Sequence, residues 1–232
     1  MRETSDIFWS LWTSEHIVET MVDIASVQYD STEILSRRIY GGVSEKPDIG
    51  TCSSRTLELS IIPKASIPRG AEIIVSARLR SGQTVSEWIP QGTFYISERI
   101  QDKKTGRIDI TAYDAMRKAN AVWLNSTYNT VNFPISESDA VTDIANRIGV
   151  AVDSRTTLDN VFPIEYPVDE NGDMTMWSIL ACIGVANAGS WVISEENKLR
   201  LLRIGDIPAE TSNLVDEYGR AIEIGGVLIN VE

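Results

Sequence analysis

The sequence predicts an α+β protein rich in β-structure, in which an antiparallel β-barrel precedes a small α+β domain. Apolar and polar residues alternate along residues 55–62 and 72–80, as expected of strands with one buried face. Turn-forming residues separate such segments every 8–12 residues or so, a spacing typical of barrels and sandwiches. Beyond residue 113 the apolar residues recur instead at helical spacing.

The alternation identifies the side chains that should face the barrel core. Residues 16–40 are expected to add two further strands, and Ile100 continues the alternation of the segment before it. The residues expected in the core of the main strands are Leu57, Leu59, Ile73, Val75, Leu79, Phe94, Ile96, Ile108 and Ile110. Those expected to be buried in the two early strands are Ile17, Val22, Ile24 and Val27.

The second half of the chain carries signals for helix ends. Asp114 is expected to cap a helix that runs to about Trp123. Ser136 through Asp139 resembles a capping box, in which a hydroxyl and a carboxylate satisfy amides of the first helical turn. Gly149 stands where the helix that follows should end.

A third helix is expected from Thr175, followed by a hairpin through residues 191–202. These elements divide the chain into three regions. Residues 1–113 form the barrel, residues 114–205 form the small α+β domain, and residues 206–232 begin a second barrel or end the chain with strand segments.

Charge and composition restrict the classes of function. The chain has 21 basic and 33 acidic residues, a net charge of −12, which argues against a direct grip on nucleic acid because phosphates require clustered Lys and Arg. No apolar run approaches the roughly 20 residues of a membrane helix. The N-terminus lacks the apolar stretch of a secretory signal, so synthesis in the cytoplasm is expected.

Candidate catalytic and metal-binding residues are few. His16 is the only histidine, and Cys52 and Cys182, far apart in sequence, are expected to be buried in different domains. In residues 169–173 the glycine stands fourth rather than sixth, which favours a tight turn over a calcium loop. We therefore assign no catalytic residue, no cofactor site and no metal site. The six tryptophans leave open an alternative, a carbohydrate-binding module for host cell-wall recognition.

Two sequence blocks carry a family resemblance. Gly92–Ile96, followed by residues 110–116 (ITAYDAM), is its most specific part. Further matching blocks are residues 49–52, 57–59, 67–71, 86–91 and 133–150. Together they resemble the N-terminal hub region of tail-tip baseplate proteins from prophages of Gram-positive bacteria, over about residues 10–205.

The resemblance implies a structural protein and not an enzyme. It implies tube-like β-barrels with small α+β domains attached, and a trimeric or hexameric ring around the DNA channel of a phage virion. Expected partners are other copies of the chain, the distal tail or tube proteins, and a tip or fibre protein. Phage DNA is expected to pass through the ring without specific binding.

Acidic side chains on the polar face of the barrel are expected to line such a channel, because carboxylates repel passing phosphates. The candidates that face the lumen are Glu58, Glu72 and Glu98, and Arg78, Arg80 and Arg99 lie near them in the sequence. The alternative is that the acidic residues cover only the outside. An unclosed barrel would also leave an edge strand that a neighbouring chain could pair with.

Overall fold

A computed structural model describes residues 4–42, 49–123, 133–159, 162–165 and 174–203, and the backbone of two short strands beyond them. The elements in chain order are α1 (Asp6–Trp12), β1 (Ile17–Ile24), β2 (Val27–Tyr29), β3 (Ile34–Gly41), β4 (Cys52–Ser53), β5 (Arg55–Ile61), β6 (Glu72–Ser81), β7 (Thr84–Val85), β8 (Ile89–Gln101), β9 (Ile108–Tyr113), a 3₁₀ helix (Ala115–Asn120), α2 (Glu137–Ile148), β10 (Ala151–Val152), α3 (Met176–Ala186), β11 (Gly189–Ile193), β12 (Lys198–Arg203), β13 (Glu223–Ile224) and β14 (Val227–Leu228).

The first sheet is antiparallel throughout and has the strand order β2-β1-β6-β8-β9-β5-β3, with β7 on β6. It curls around one apolar core. In the described part of the chain, β2 and β3 each have a single neighbour, so the sheet is an open half-barrel with two edges. The predicted β-rich α+β fold is confirmed.

The predicted core of the half-barrel is also confirmed. All of the main-strand residues expected to be buried are at most 8% exposed, including Leu57 and Leu59, which share one face. On β1, Val22 and Ile24 are buried as expected. The prediction for Ile17 is wrong: its side chain is 68% exposed, because an odd position on this strand lies on the face opposite to Val22 and Ile24. Residues 16–40 form three strands rather than two, and Val27 is only half-buried.

A β-bulge corrects the prediction for β8. The register with β9 shifts between Ile96 and Glu98, so the simple alternation stops there. An extra residue in one strand moves the side chains that follow to the other face. Ile100, expected to continue the buried set, is therefore 60% exposed.

The second core lies under a small sheet with the order β10-β12-β11-β4, which packs with α2, α3 and the 3₁₀ helix. Asp114 caps the 3₁₀ helix as expected, but this helix ends at Asn120 and does not reach Trp123. The backbone turns extended at Ala121, and the Trp123 amide donates to the Met174 carbonyl at 3.0 Å. Pairing with a distant segment thus replaces the predicted last helical turn.

The caps of α2 follow the sequence signals. The Ser136 hydroxyl accepts from the Asp139 amide at 3.1 Å and donates to its carboxylate at 2.7 Å. Gly149 ends the helix with φ +81°, a left-handed conformation that costs glycine little. Thr175 likewise caps α3, and β11 and β12 form the expected hairpin.

Strand β4 belongs to the second sheet although it lies within the range predicted for the barrel. Cys52 pairs in parallel register with Trp191 of β11. Cys52 is buried in the second core, whereas Cys182 on α3 is exposed, so the expectation of two buried cysteines in separate domains is wrong. Burial, with a smaller contribution from nearby Cys182, raises the pKa of Cys52 to about 12. The division near residue 113 remains a prediction.

Asp153, just after β10, provides a pH-dependent contribution to stability. Its carboxylate is 3% exposed and accepts from Arg155 at 2.6 and 2.8 Å, which lowers its pKa to about 2. A lowered folded-state pKa gives stability that is present above the unfolded pKa of about 4 and is lost as the pH falls through about 2. We predict that the stabilisation of wild type over Asp153→Asn, measured by urea unfolding, falls by about 1 kcal/mol between about pH 5 and pH 3. A difference that stays constant would contradict this assignment.

Candidate functional site

Two of the predicted acidic residues meet on the outer face of the half-barrel. Glu58 of β5 and Glu98 of β8 both lie opposite Thr111 of β9, which runs between them. Both side chains are exposed. Strands lie about 4.8 Å apart, so the two backbone positions are separated by about 10 Å. The structure thus brings together two of the three residues chosen from sequence.

Glu72 lies on the same face but beside the second core. It pairs in register with Tyr95, whose ring carries the Lys118 ammonium 3.4 Å from its centroid. Burial lowers the pKa of Lys118, and the nearby Glu72 carboxylate opposes that effect. Glu72 therefore stands next to a cation.

The arginines named from sequence do not neutralise the pair at Glu58 and Glu98. Arg99 lies opposite Ile110, a core residue, and so is on the inner side of the sheet. Arg78 and Arg80 both pair with Glu19 of β1, at 2.6 and 2.5 Å. The nearest opposing charge by register is Arg38, directly across from Glu58.

Asp109, which was not among the predicted residues, adds a third carboxylate beside Glu58 and Glu98. It accepts a short hydrogen bond from Ser60, which is the main cause of its lowered pKa, and it pairs with Arg107 at 2.9 Å. The Tyr40 hydroxyl donates to Glu58 at 2.9 Å. A shallow cleft of about 280 Å³ runs between Glu58, Glu98 and Asp109. The alternation of Asp109 with Ile108 and Ile110 was the available sequence signal.

Those residues considered for metal binding that the structure describes are not grouped at this face. Within the described ranges, no three His, Cys, Asp or Glu side chains are grouped to hold a metal ion. Residues 169–173, for which the sequence favours a tight turn over a calcium loop, lie outside the described residues. His16 is half-buried, stacks on Trp12 and contacts the Ser14 carbonyl through Nδ1 at 2.8 Å.

The end of the block ITAYDAM, residues 110–116, joins the two cores. Asp114 is 1% exposed and accepts hydrogen bonds from the Arg55 amide at 2.9 Å, the Ser54 hydroxyl at 2.9 Å and the Met116 amide at 3.1 Å. Burial raises the pKa of Asp114, and these donors oppose the rise. The Arg55 guanidinium then donates to the Gln91 carbonyl of β8 and the Ser194 carbonyl beyond β11, at 3.0 and 3.1 Å. This Asp114–Arg55 joint links the half-barrel to the small unit.

The tryptophans do not form one surface. Trp123 and Trp191 are at most 1% exposed and belong to the second core. Trp88 lies in the loop before β8, under the Arg78 guanidinium. Trp9 and Trp12, about half exposed, sit together on α1.

Comparison with known proteins gives a match at the level of fold. No family model and no curated protein sequence matches the chain. The 43 kDa tail protein of prophage MuSo2 from Shewanella oneidensis superposes with a TM-score of 0.56 and 15% identity, covering 82% of this chain and 56% of its own. A tail protein from Neisseria meningitidis MC58 gives 0.52 and 14%, covering 81% and 51%.

Prophage tail protein gp18 from Listeria monocytogenes EGD-e matches more loosely, with a TM-score of 0.47, 11% identity, and coverage of 88% of this chain and 64% of its own. The chain spans about half the length of the first two proteins. None of the helices in the described part of the chain has the length and apolar character needed to cross a membrane. The chain has the fold shared by the tail proteins of Shewanella prophage MuSo2 and Neisseria meningitidis.

Proposed function

We propose that this chain is a structural protein of a phage tail, a baseplate hub that forms a ring around the DNA channel and joins the tail tube to the tip or fibre. The observation that carries the proposal is the fold match to two tail proteins over 81–82% of this chain. The resemblance of Gly92–Ile96 and residues 110–116 to hub regions supports the finer assignment. We infer a structural and not a catalytic role.

The open half-barrel supports assembly into a ring. Edge strands β2 and β3 carry backbone groups that no neighbour in the described chain pairs with. Such edges favour the addition of a strand from another molecule. We infer a trimeric or hexameric ring in the virion, built from chains made in the bacterial cytoplasm of a Gram-positive host, with residues 206–232 opening a second barrel.

Imaging tests the ring directly. Mass photometry and negative-stain electron microscopy of the purified chain, alone and with its tail neighbours, should show closed rings of three or six copies. A monomer under all these conditions that instead binds host-wall glycans saturably would replace the hub by the carbohydrate-binding alternative.

We infer that Glu58 and Glu98 line the channel of the ring, with Glu72 at the edge of the same surface. Their shared outer face is exposed, and the pair flanking Thr111 lies away from Arg99, Arg78 and Arg80. A ring multiplies these charges by its copy number. Carboxylates along the wall would repel DNA phosphates within about 8 Å at physiological salt.

We predict that Glu58→Lys with Glu98→Lys raises the affinity of assembled rings for duplex DNA by about tenfold or more, with a steeper loss of affinity as salt rises. Fluorescence anisotropy against salt concentration measures both. The control is the equal charge change Glu15→Lys with Glu165→Lys, at exposed positions elsewhere. Equal gains in the two variants would mean that Glu58 and Glu98 do not face the lumen.

A further inference from the structure

An apolar pocket of about 420 Å³ lies at one end of the half-barrel, between α1 and the inner side of the sheet. Its walls combine aromatic rings of α1 with aliphatic side chains of three strands. The main wall residues are Phe8, Trp9, Trp12, Val18, Leu79 and Ile89. Trp9 and Trp12 are 50% and 56% exposed, so the pocket opens to solvent beside them.

One guanidinium, that of Arg37, enters this pocket without a hydrogen-bond partner for its Nη1 among the described residues. Arg37 of β3 lies opposite Leu59, so its side chain points to the core side of the sheet. Its Nη1 is buried and has no hydrogen-bond partner, and among the described residues no carboxylate forms an ion pair with it. Burial lowers the pKa of Arg37. An unpaired guanidinium in apolar surroundings is costly, which points to an anion that the described residues do not supply.

The pocket is bordered by free strand edges. Arg37 belongs to β3, whose second edge has no neighbour in the described chain, and Val18 belongs to β1. Strand β1 pairs with β2 only at residues 22–24. On that side, no strand in the described chain pairs with residues 17–21, although the Thr20 amide donates to the Ser31 hydroxyl at 3.3 Å. Backbone groups of this kind can pair in series with the donors and acceptors of an incoming extended peptide, and a free lipid or small acid has no such series.

We propose that the pocket receives an acidic side chain from an extended segment of a partner protein, which adds a strand along β3. The carboxylate accepts hydrogen bonds from Arg37, and apolar residues beside it in the partner contact Trp9 and Trp12. The positive charge of Arg37 favours an acidic side chain, and the free edge of β3 favours an extended peptide as its carrier. The inference rests on the proposed role in a tail assembly, because it names the surface that a neighbouring tail protein enters.

A synthetic peptide tests the proposal. The probe is a strand-forming peptide of about seven residues, alternating Thr and Val around a central Glu, and its partner peptide has Gln in that position. Tryptophan fluorescence and calorimetry on the full chain should show the Glu peptide binding at least about tenfold more tightly, as expected of a charge-assisted contact. Arg37→Gln should remove that preference.

The matched control is Arg38→Gln, which removes the same charge one residue away. Arg38 lies on the outer face, over the Tyr40 ring at 5.0 Å, so this variant should keep the preference. Both arginines are surface-accessible in part, and loss of an unpaired buried charge should not unfold the chain, which circular dichroism verifies.

Equal binding of the Glu and Gln peptides, or an unchanged preference in Arg37→Gln, would overturn the proposal. Octanoate is the second probe: if it binds at Arg37 while neither peptide binds, the peptide occupant is wrong and a free amphipathic acid takes its place. These measurements use the isolated chain. If the chain binds the peptide but never forms rings, the proposed hub function is contradicted and the proposed peptide site is still supported.

Discussion

Replacing Asp114 with Ala should lower the free energy of unfolding by about 3–5 kcal/mol. The substitution leaves the buried amides of Arg55 and Met116 and the Ser54 hydroxyl without their acceptor. It also removes the carboxylate nearest to the Arg55 guanidinium, whose Nε lies 3.6 Å from it. Urea unfolding monitored by tryptophan fluorescence measures the change.

The control for this variant is Glu98→Ala, an exposed acidic residue on the same sheet, for which a change within about 0.5 kcal/mol is expected. The double variant Asp114→Ala with Arg55→Met should lose less free energy of unfolding than the two single variants together, since each substitution removes a partner of the other residue. A loss below about 1 kcal/mol for Asp114→Ala, or strict additivity with Arg55→Met, would show that the joint contributes little.

Gly50→Ala should destabilise the second core by about 2–4 kcal/mol, combining backbone strain with overpacking. Gly50 has φ +78°, its amide donates to the Gly189 carbonyl at 2.8 Å, and an added Cβ would lie 2.2 Å from Cγ2 of Val185 and 3.1 Å from the Ala181 carbonyl oxygen. The glycine lets the chain pass close against α3 as it enters β4. Thermal and urea unfolding measure the loss.

Two further variants separate the two causes. Gly70 also has positive φ, +67°, but an added Cβ there meets nothing within 4 Å, so Gly70→Ala should show the backbone cost alone, about 1 kcal/mol. Val185→Ala should recover part of the loss in Gly50→Ala by opening space for the new methyl group. Equal losses at Gly50 and Gly70, with no recovery, would contradict close packing against α3.

The local sequence pattern is sufficient to predict which side chains of the main strands face the core. Leu57 and Leu59 alternate with polar or exposed neighbours, and their burial follows directly from the two-residue period of a strand. It also determined the start and end of α2 at Ser136 and Gly149. These features depend on residues within a few positions of one another, so a local pattern is sufficient to predict them.

The position of the candidate acidic face could be predicted only in part. The alternation places Glu58 on the polar side of its strand, but it does not say that Glu98 lies across Thr111 from it. Nor does it place Arg99 on the opposite side. The bulge between Ile96 and Glu98 decides both, and it reversed the expectation for Ile100.

Contacts between distant segments were decided only by the tertiary structure. Cys52 joins Trp191 in the second sheet, Asp114 holds Arg55 at the joint, and Arg37 turns inward to an apolar pocket. A strand's period specifies the face of each side chain but not the strand that will lie beside it. The packing of the whole chain decides which strands become neighbours. A strand edge pairs with the segment that satisfies its backbone hydrogen bonds and also covers the apolar side chains beside it.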